Sequence, residues 1–347
     1  MNENMKKMLE LVEKEHIERL SYNQNSKILI LDGLNNYIRN WVTSVEMNAD
    51  GKHVGGITGF LKSLGLAIRM LEPTRVIIIF DGNGGSKRRR KIYPEYKATR
   101  GHGVKLNRKY NWSSDSEEDE QKIAQLKRLV AYLKLLPITI MIYDNIEADD
   151  AIGEVVKLCE DKSKIYIMST DKDFYQLITD NVNIWHPIHK KMLDKKWIME
   201  KYGVDTKNVL IQKALIGDTG DNIPGIDGFG IKTINKHFPI LAEDRKISIE
   251  EFKEYVKELS NTKKPPKVIL TLLEQWDKFL LNIRLMTLSE ANVSYGTKVS
   301  IEETLNTKTK RCSESKLNDL FLLDKINSMN GYDYFKNNFV FINTFCN

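Results

Sequence analysis

The stretch KILILDGLNNYIR, residues 27–39, decides the fold. It opens with an aliphatic, β-branched run that reads as a strand and stops at the turn-forming pair Asp32 and Gly33. Three more runs share this make-up: RVIIIF from Arg75, ITIMIY from Ile138 and KIYIMS from Lys164, with NVNIWH from Asn181 as a weaker fifth. The segments between them read as helices, among them GGITGFLKSLGLAIRMLE from Gly55, DEQKIAQLKRLVAYLKLL from Asp119 and DDAIGEVVKLCEDK from Asp149. Strands alternating with helices predict an α/β fold with a central, mostly parallel, twisted sheet flanked by helices.

Outward from that core the pattern changes. Residues 1–26 are expected to form an amphipathic helical extension outside the sheet. From about Lys201 helices are broken by glycine and proline, which predicts a C-terminal α-helical domain over 201–300. Pro265 and Pro266 place KELSNTKKPPKV, 257–268, in a loop. Residues 301–347 form a last segment whose structure the pattern leaves unread.

The bulk numbers exclude several classes. At 347 residues and 40.2 kDa the chain can bury a large core. No apolar run approaches the roughly 18 residues of a membrane span, and the polar start is unlike a secretory signal, so a cytoplasmic location is expected, in a host cell if the chain is viral. Cys159, Cys312 and Cys346 are odd in number and far apart, which fits neither a disulfide framework nor a zinc site. The net charge of +6 is mild but uneven: SKRRRKIYPEYKATRGHGVKLNRKY, 86–110, is strongly basic, and the acidic SSDSEEDEQ follows it. Such a basic run is what a polyanion would feel.

Each strand ends in acid. Asp32 closes the first and Asp81 the second; Asp144, Glu147, Asp149 and Asp150 follow the third, and Asp171 and Asp173 the fourth. The carboxyl ends of parallel strands share one edge, where ligands bind. A single Asp there is readily explained as a helix cap. A crowd of carboxylates repels itself unless a cation neutralises it, and ligation by oxygen alone points to a hard ion such as Mg²⁺ or Mn²⁺. Asp218 and Asp221, three apart in LIGDTGDNIPGIDGFGIKT (215–233), can add to this set. The number of acids is enough for two ions about 3.5–4 Å apart, the usual apparatus for in-line attack on a phosphodiester.

The motifs ILILDGLNNYIR, FDGNGGSKRRRKIYPEYKATR, IEADDAIG, STDKDFYQL and GDTGDNIPGIDGFGIKT, in this order, resemble the flap endonuclease or 5′-nuclease family, nearest its phage ribonuclease H branch. They span roughly residues 27–240. The resemblance implies a nuclease domain over 27–200 with an arch near 101–121, and a helix-hairpin-helix element at about 210–238. It implies metal ligation by Asp32, Asp81, Glu147 and Asp149, with Asp150 acting through water, and by a second group of Asp171, Asp173, Asp218 and Asp221. Lys97 would contact the scissile phosphate, making Lys97, Asp149 and Asp171 the catalytic set. Tyr96 would stack on a base, and Arg88, Arg89, Arg90 and Arg100 would hold the 5′ side of the substrate. Gly225, Gly228, Gly230, Lys232 and Thr233 match the hairpin that grips duplex phosphates through backbone N–H groups, although Phe229 and Ile234 are bulky for it. A K⁺ ion in the hairpin is a further implication.

In the arch region Lys105, Arg108, Lys109, Tyr110 and Trp112 suit a single strand, whereas the acids from Asp115 to Glu120 would repel it and fit the N-terminus of the next helix better.

The function expected is therefore a metal-dependent 5′-to-3′ nuclease acting on flaps, nicks and RNA or DNA 5′ ends, a monomer that removes primers during replication. Its partners would be DNA and RNA–DNA hybrids. A single-strand-binding protein or sliding clamp could add to them, with NNFVFINTF (337–345) readable as a tail for such a partner or as a last core segment. A non-catalytic DNA-binding protein on the same scaffold is the alternative. An ATPase is a weaker one, because GDTGDNIPGIDGFGIKT lacks GxxxxGK[ST] and no strand leads into it.

Overall fold

The computed structural model describes residues 7, 19, 21–98, 107–288, 293–329, 331 and 333–347. Six strands form the main sheet: β1 (Lys27–Asp32), β2 (Arg75–Asp81), β3 (Thr139–Tyr143), β4 (Lys164–Met168), β5 (Val182–His186) and β6 (Lys191–Leu193). Their order is β3-β2-β1-β4-β5-β6, parallel except for β6, which pairs antiparallel with β5. The register sets Ile30 beside Ile77 and Leu29 beside Tyr166.

The strands read as unbroken apolar runs because both faces are covered. Successive side chains alternate between faces. Ile28, Ile30, Ile77, Ile79, Ile165 and Ile167 enter one core, while Leu29, Leu31, Val76, Ile78 and Met168 enter the other.

On the second face lie α1 (Gly33–Thr43), α2 (Gly55–Leu71) and α4 (Asp115–Leu133); the short α3 (Lys87–Ile92) follows β2. On the first face lies α5 (Ala148–Cys159), and the same apolar cluster continues into the later helices. These are α6 (Lys195–Tyr202), α7 (Val209–Ile216), α8 (Ile231–His237), α9 (Ile249–Ser260), α10 (Lys267–Glu274), α11 (Trp276–Met286) and α12 (Tyr295–Asn306). Between α7 and α8 a two-residue ladder, β7 (Gly217–Asp218) with β8 (Ile223–Pro224), closes a small hairpin that the sequence did not signal. Pro265 and Pro266 lie between α9 and α10 as expected, but the loop is shorter than 257–268, because α9 runs on to Ser260 and α10 starts at Lys267, directly after the prolines.

Helices α13 (Glu314–Leu323) and α14 (Asp333–Asn343) return to the second face. Phe335 and Phe339 are fully buried there and Ile342 nearly so, which makes NNFVFINTF a core segment rather than a free tail. Among the described residues no helix is long and apolar enough to cross a membrane.

Strand order reverses beside β1: the chain steps to β2 and β3 on one side and to β4 and β5 on the other. In open α/β sheets this switch point, at the carboxyl ends, is where a crevice forms.

Candidate active site

The crevice at the switch point holds about 350 Å³ and is lined by Asp32, Leu34, Asn35, Ile38, Arg39, Asp81, Lys97, Asp149, Thr170 and Asp171. Each acid is placed by its element. Asp32 ends β1 and accepts from the Asn35 N–H (2.9 Å), so it also caps α1. Asp81 ends β2 and accepts from the Ala148 N–H (2.8 Å), capping α5 from a neighbouring strand. Gly82 follows because any Cβ there would lie 2.1 Å from the Tyr143 carbonyl oxygen. Asp149 lies in the first turn of α5, where negative charge is favoured. Asp171 caps the 3₁₀ turn Lys172–Leu177 after β4 and accepts from the Asp173 N–H (2.8 Å).

Lys97 enters from the loop after α3. Its φ of 56° is in the left-handed region, which costs a non-glycine residue about 1–2 kcal/mol. The conformation is held by a hydrogen bond from its N–H to the Asp221 carbonyl (2.9 Å). Its ammonium donates to Glu147 Oε1 (2.7 Å).

Crowding has the electrostatic consequence expected of it. Burial, with Asp81 and Asp171 nearby, pushes the Asp32 carboxyl up to about 7 against the opposing Asn35 N–H and Lys97. Burial and the charges of Asp32, Asp171 and Glu147 hold Asp149 well above the usual carboxylate range, with Lys97 opposing. Asp171 is raised by burial and by Asp221 and Asp218, while Lys213 and Lys97 pull it down. An all-oxygen set whose charged forms are disfavoured by burial and by mutual repulsion is chemically suited to a hard divalent cation. As the side chains stand, no three His, Cys, Asp or Glu groups among the described residues converge tightly enough to grip an ion. Lysines and an arginine supply the countercharge instead.

Several expected ligands and contacts are placed otherwise. Glu147 does not line the crevice: it accepts from Arg89 (2.6 Å) and Lys97 (2.7 Å) and lies 3.0 Å from the Tyr96 hydroxyl. Asp150 faces Arg89 in a two-pronged ion pair (2.6 and 2.8 Å). Arg89 is therefore not on a nucleic-acid surface. It is 5% exposed, also donates to the Leu285 carbonyl (2.8 Å), and ties α3 to α5 and α11. Tyr96 is 2% exposed, packs with Ile223, Leu285 and Met286, and donates to Asp221 (2.9 Å), so its ring is closed to a base. Arg88 is half-buried and Arg90 exposed; Arg100 lies outside the described residues, as do 101–106 of the arch region.

Within the expected arch region, Trp112 is buried and stacked on Trp41 (5.2 Å, 15°), so it belongs to the core rather than to a strand-binding surface. The acidic block caps α4 through Ser114, and its Glu118 is buried, accepting from Trp41 Nε1 (3.0 Å) and the Asn107 N–H (2.7 Å).

The second acidic group stands beside the crevice. Asp218 accepts from the Gly220 N–H (2.8 Å), Asp221 is tied to Tyr96, and Asp173 is ion-paired with Lys213 on α7, which also lies 3.6 Å from Asp218. In the hairpin Gly225 is required because a Cβ would lie 2.0 Å from the Ile216 carbonyl oxygen, and Gly228 has a φ of 85°. Gly230 caps α8 with open space around it; Lys232 is exposed and Thr233 half-buried. The bulk of Phe229 and Ile234 has an inward use: Phe229 stacks on Phe238 (5.8 Å) and Ile234 is fully buried. Asn282 on α11 straps the hairpin by donating to the Ala214 and Pro224 carbonyls (2.9 Å each).

Sequence reasoning missed Lys213, Asn35, Arg39 and Asn282. Asn35 and Arg39 are i, i+4 on the helix that begins at Asp32, a spacing that puts them on the crevice side. Lys213 lies one helical turn and a glycine before Asp218, a relation visible only once α7 is known.

Comparison with known proteins now gives the family. Residues 27–203 match the model of the 5′-3′ exonuclease, N-terminal resolvase-like domain. A 5′-3′ exonuclease of Buchnera aphidicola subsp. Acyrthosiphon pisum is 32% identical over 216 residues, 62% of this chain and 70% of that protein. A 5′-3′ exonuclease of Bacillus subtilis is 32% identical over 222 residues, 61% and 69%. Among solved structures, the bacteriophage T5 D15 protein co-crystallised with metal ions aligns over 81% of this chain and 98% of its own, with a TM-score of 0.60 and 21% identity, a likeness of fold. Because the matched model spans just over half of its length, the chain belongs to the 5′-3′ exonuclease family of nucleases.

Proposed function

We propose that the chain is a structure-specific, divalent-metal-dependent 5′-to-3′ nuclease that hydrolyses phosphodiesters near 5′ ends, flaps and nicks during DNA replication or repair. The observation that carries this reading is the crevice in which Asp32, Asp81, Asp149 and Asp171 face Lys97 at the switch point of the sheet. A mere nucleic-acid binder has no use for clustered negative charge where phosphates dock.

Asp32, Asp81, Asp149 and Asp171 would hold one divalent ion, and Asp173, Asp218 and Asp221 a second. Mg²⁺ is the ion of choice and Mn²⁺ a substitute. Two such ions supply an activated water and offset the charge on the leaving oxygen. The chain's own residues then position the substrate. Lys97, with its ammonium fixed inside the crevice wall, reaches a non-bridging oxygen of the scissile phosphate and counters the charge that grows there. The Gly225–Gly230 hairpin, with Lys232 and Thr233 on α8, grips duplex phosphates through backbone N–H groups without reading bases, and K⁺ is the ion that would complete it. Because the Lys97 N–H is tied to the Asp221 carbonyl, that grip fixes the distance from duplex to lysine. Arg90, which is exposed, holds the 5′ side together with Arg100. Residues 27–200 would act as the nuclease domain and 201–300 as the duplex-binding part. RNA–DNA hybrids belong to the substrate range on the motif resemblance.

The test is a 5′-flap duplex labelled at its 5′ end, incubated with and without Mg²⁺. Cleavage near the flap junction only with metal is expected. Binding without cleavage in Mg²⁺ and Mn²⁺ alike would favour the non-catalytic reading.

A further inference from the structure

Lys213 is the side chain that the mechanism leaves unused, yet it stands among the second group of acids. It projects from the last turn of α7, is 13% exposed, pairs with Asp173 and lies 3.6 Å from Asp218. Asp173 and Asp218 come from different parts of the chain, one after β4 and one in the β7–β8 hairpin, so a single ammonium bridges the nuclease sheet to the hairpin. An ammonium between two carboxylates meets the same need for countercharge as a metal ion would, without leaving the protein.

The side chain also has somewhere else to go. Lys213 and Asp218 also line an adjoining pocket of about 300 Å³, with Lys172, Tyr175, Tyr202 and Gln212 around it. A lysine has a long flexible stem and can exchange one position for the other, which an arginine fork fixed in two directions does less readily. Arg89 illustrates the contrast: its guanidinium is locked to Asp150, Glu147 and the Leu285 carbonyl.

We propose that Lys213 is a tethered counter-ion of the second metal site: it holds Asp173 and Asp218 together in the metal-free protein, and a divalent ion has to displace it toward the adjoining pocket. This rests on the metal-dependent reading above. Lys213 is thus a positioning residue that sets how tightly the second ion binds. Metal occupancy at that site becomes a competition between a free divalent cation and a built-in monovalent one.

The experiment is direct Mn²⁺ binding to the full chain without nucleic acid, followed by loss of the free-ion electron paramagnetic resonance signal, for the parent, Lys213→Met and Lys213→Arg. Two classes of site are expected in the parent. In Lys213→Met the weaker class should tighten at least about tenfold, since one unit charge a few ångströms from the ion is worth more than that at a partly screened site. Lys213→Arg, which keeps the charge and swings aside less readily, should bind no more tightly than the parent. Thermal melting should show the metal-free Lys213→Met protein less stable than the parent and more strongly stabilised by Mn²⁺. Unchanged or weaker Mn²⁺ binding in Lys213→Met, with two sites retained in the parent, would overturn this proposal and leave the nuclease reading intact. No Mn²⁺ binding by the parent at all would overturn both. If Lys213→Met does not fold, Lys213→Gln serves, with the same expected direction.

Discussion

Replacing Arg89 with Met separates a structural arginine from a substrate-binding one. Arg89, Asp150 and Glu147 are each 5% exposed or less, and Arg89 donates to the two carboxylates over 2.6, 2.6 and 2.8 Å. Burial alone would depress the guanidinium's hold on its proton, but the hydrogen bonds and charge of Asp150, with Glu147, reverse that and strengthen it. Met matches the stem's volume, so the loss is chiefly the charge. Glu147 keeps Lys97 and Tyr96, whereas Asp150 loses its two-pronged partner. Breaking one side of a buried pair costs about 3–5 kcal/mol. For a chain of this size that is a fall of about 4–7 °C in Tm. Urea denaturation followed by circular dichroism, in metal-free buffer, measures it. Adding Asp150→Asn should recover at least about 1.5 kcal/mol, because the stranded charge is gone. Parental stability of Arg89→Met together with weakened binding of a flap duplex would refute the reasoning and return Arg89 to the nucleic-acid surface.

Lys97→Ala should slow the single-turnover cleavage step by about 100-fold or more while leaving duplex affinity within about threefold, because the lysine acts where charge develops; equal losses in both would show that it only anchors the substrate. Asp32 has a folded pKa of about 7 against an ordinary 3.8, so its protonated form stabilises the metal-free fold below pH 4, and that contribution disappears as pH rises through 7. Urea midpoints of the metal-free parent should therefore fall between pH 4 and 7 more steeply than those of Asp32→Asn, and equal slopes would contradict the burial argument. Gly225→Ala should destabilise the hairpin and weaken duplex binding, since the added Cβ would sit 2.0 Å from the Ile216 carbonyl oxygen; unaltered binding would show the grip lies elsewhere. Phe339→Ala should cost about 3–5 kcal/mol as a core cavity, with flap binding kept per folded molecule, whereas a stable variant would make α14 a free surface helix.

The sheet was legible because its strands are apolar runs closed by turn residues, and the carboxylates were legible because each terminates such a run. Strand β6 and the β7–β8 ladder escaped notice: two- and three-residue strands have no periodicity to detect. The roles of Tyr96, Arg89 and Trp112 escaped for another reason. Aromatic and basic residues in a basic stretch look like a nucleic-acid surface, and only the fold reveals that Arg89 and Tyr96 face inward to buried acids while Trp112 covers Trp41. The C-terminal helices were unreadable because α14 completes a core whose other half, α2, lies far away in sequence.

Cleavage of a labelled 5′-flap duplex in Mg²⁺ under single-turnover conditions, by the parent and by Asp171→Ala, tests the central claim most directly. Asp171 faces the crevice from the end of β4 and shares its charge with both acidic groups. The account predicts a fall of at least about 100-fold in the cleavage rate, with flap binding retained in a gel-shift titration. Undiminished cleavage by Asp171→Ala would contradict the assignment of the crevice as the catalytic centre.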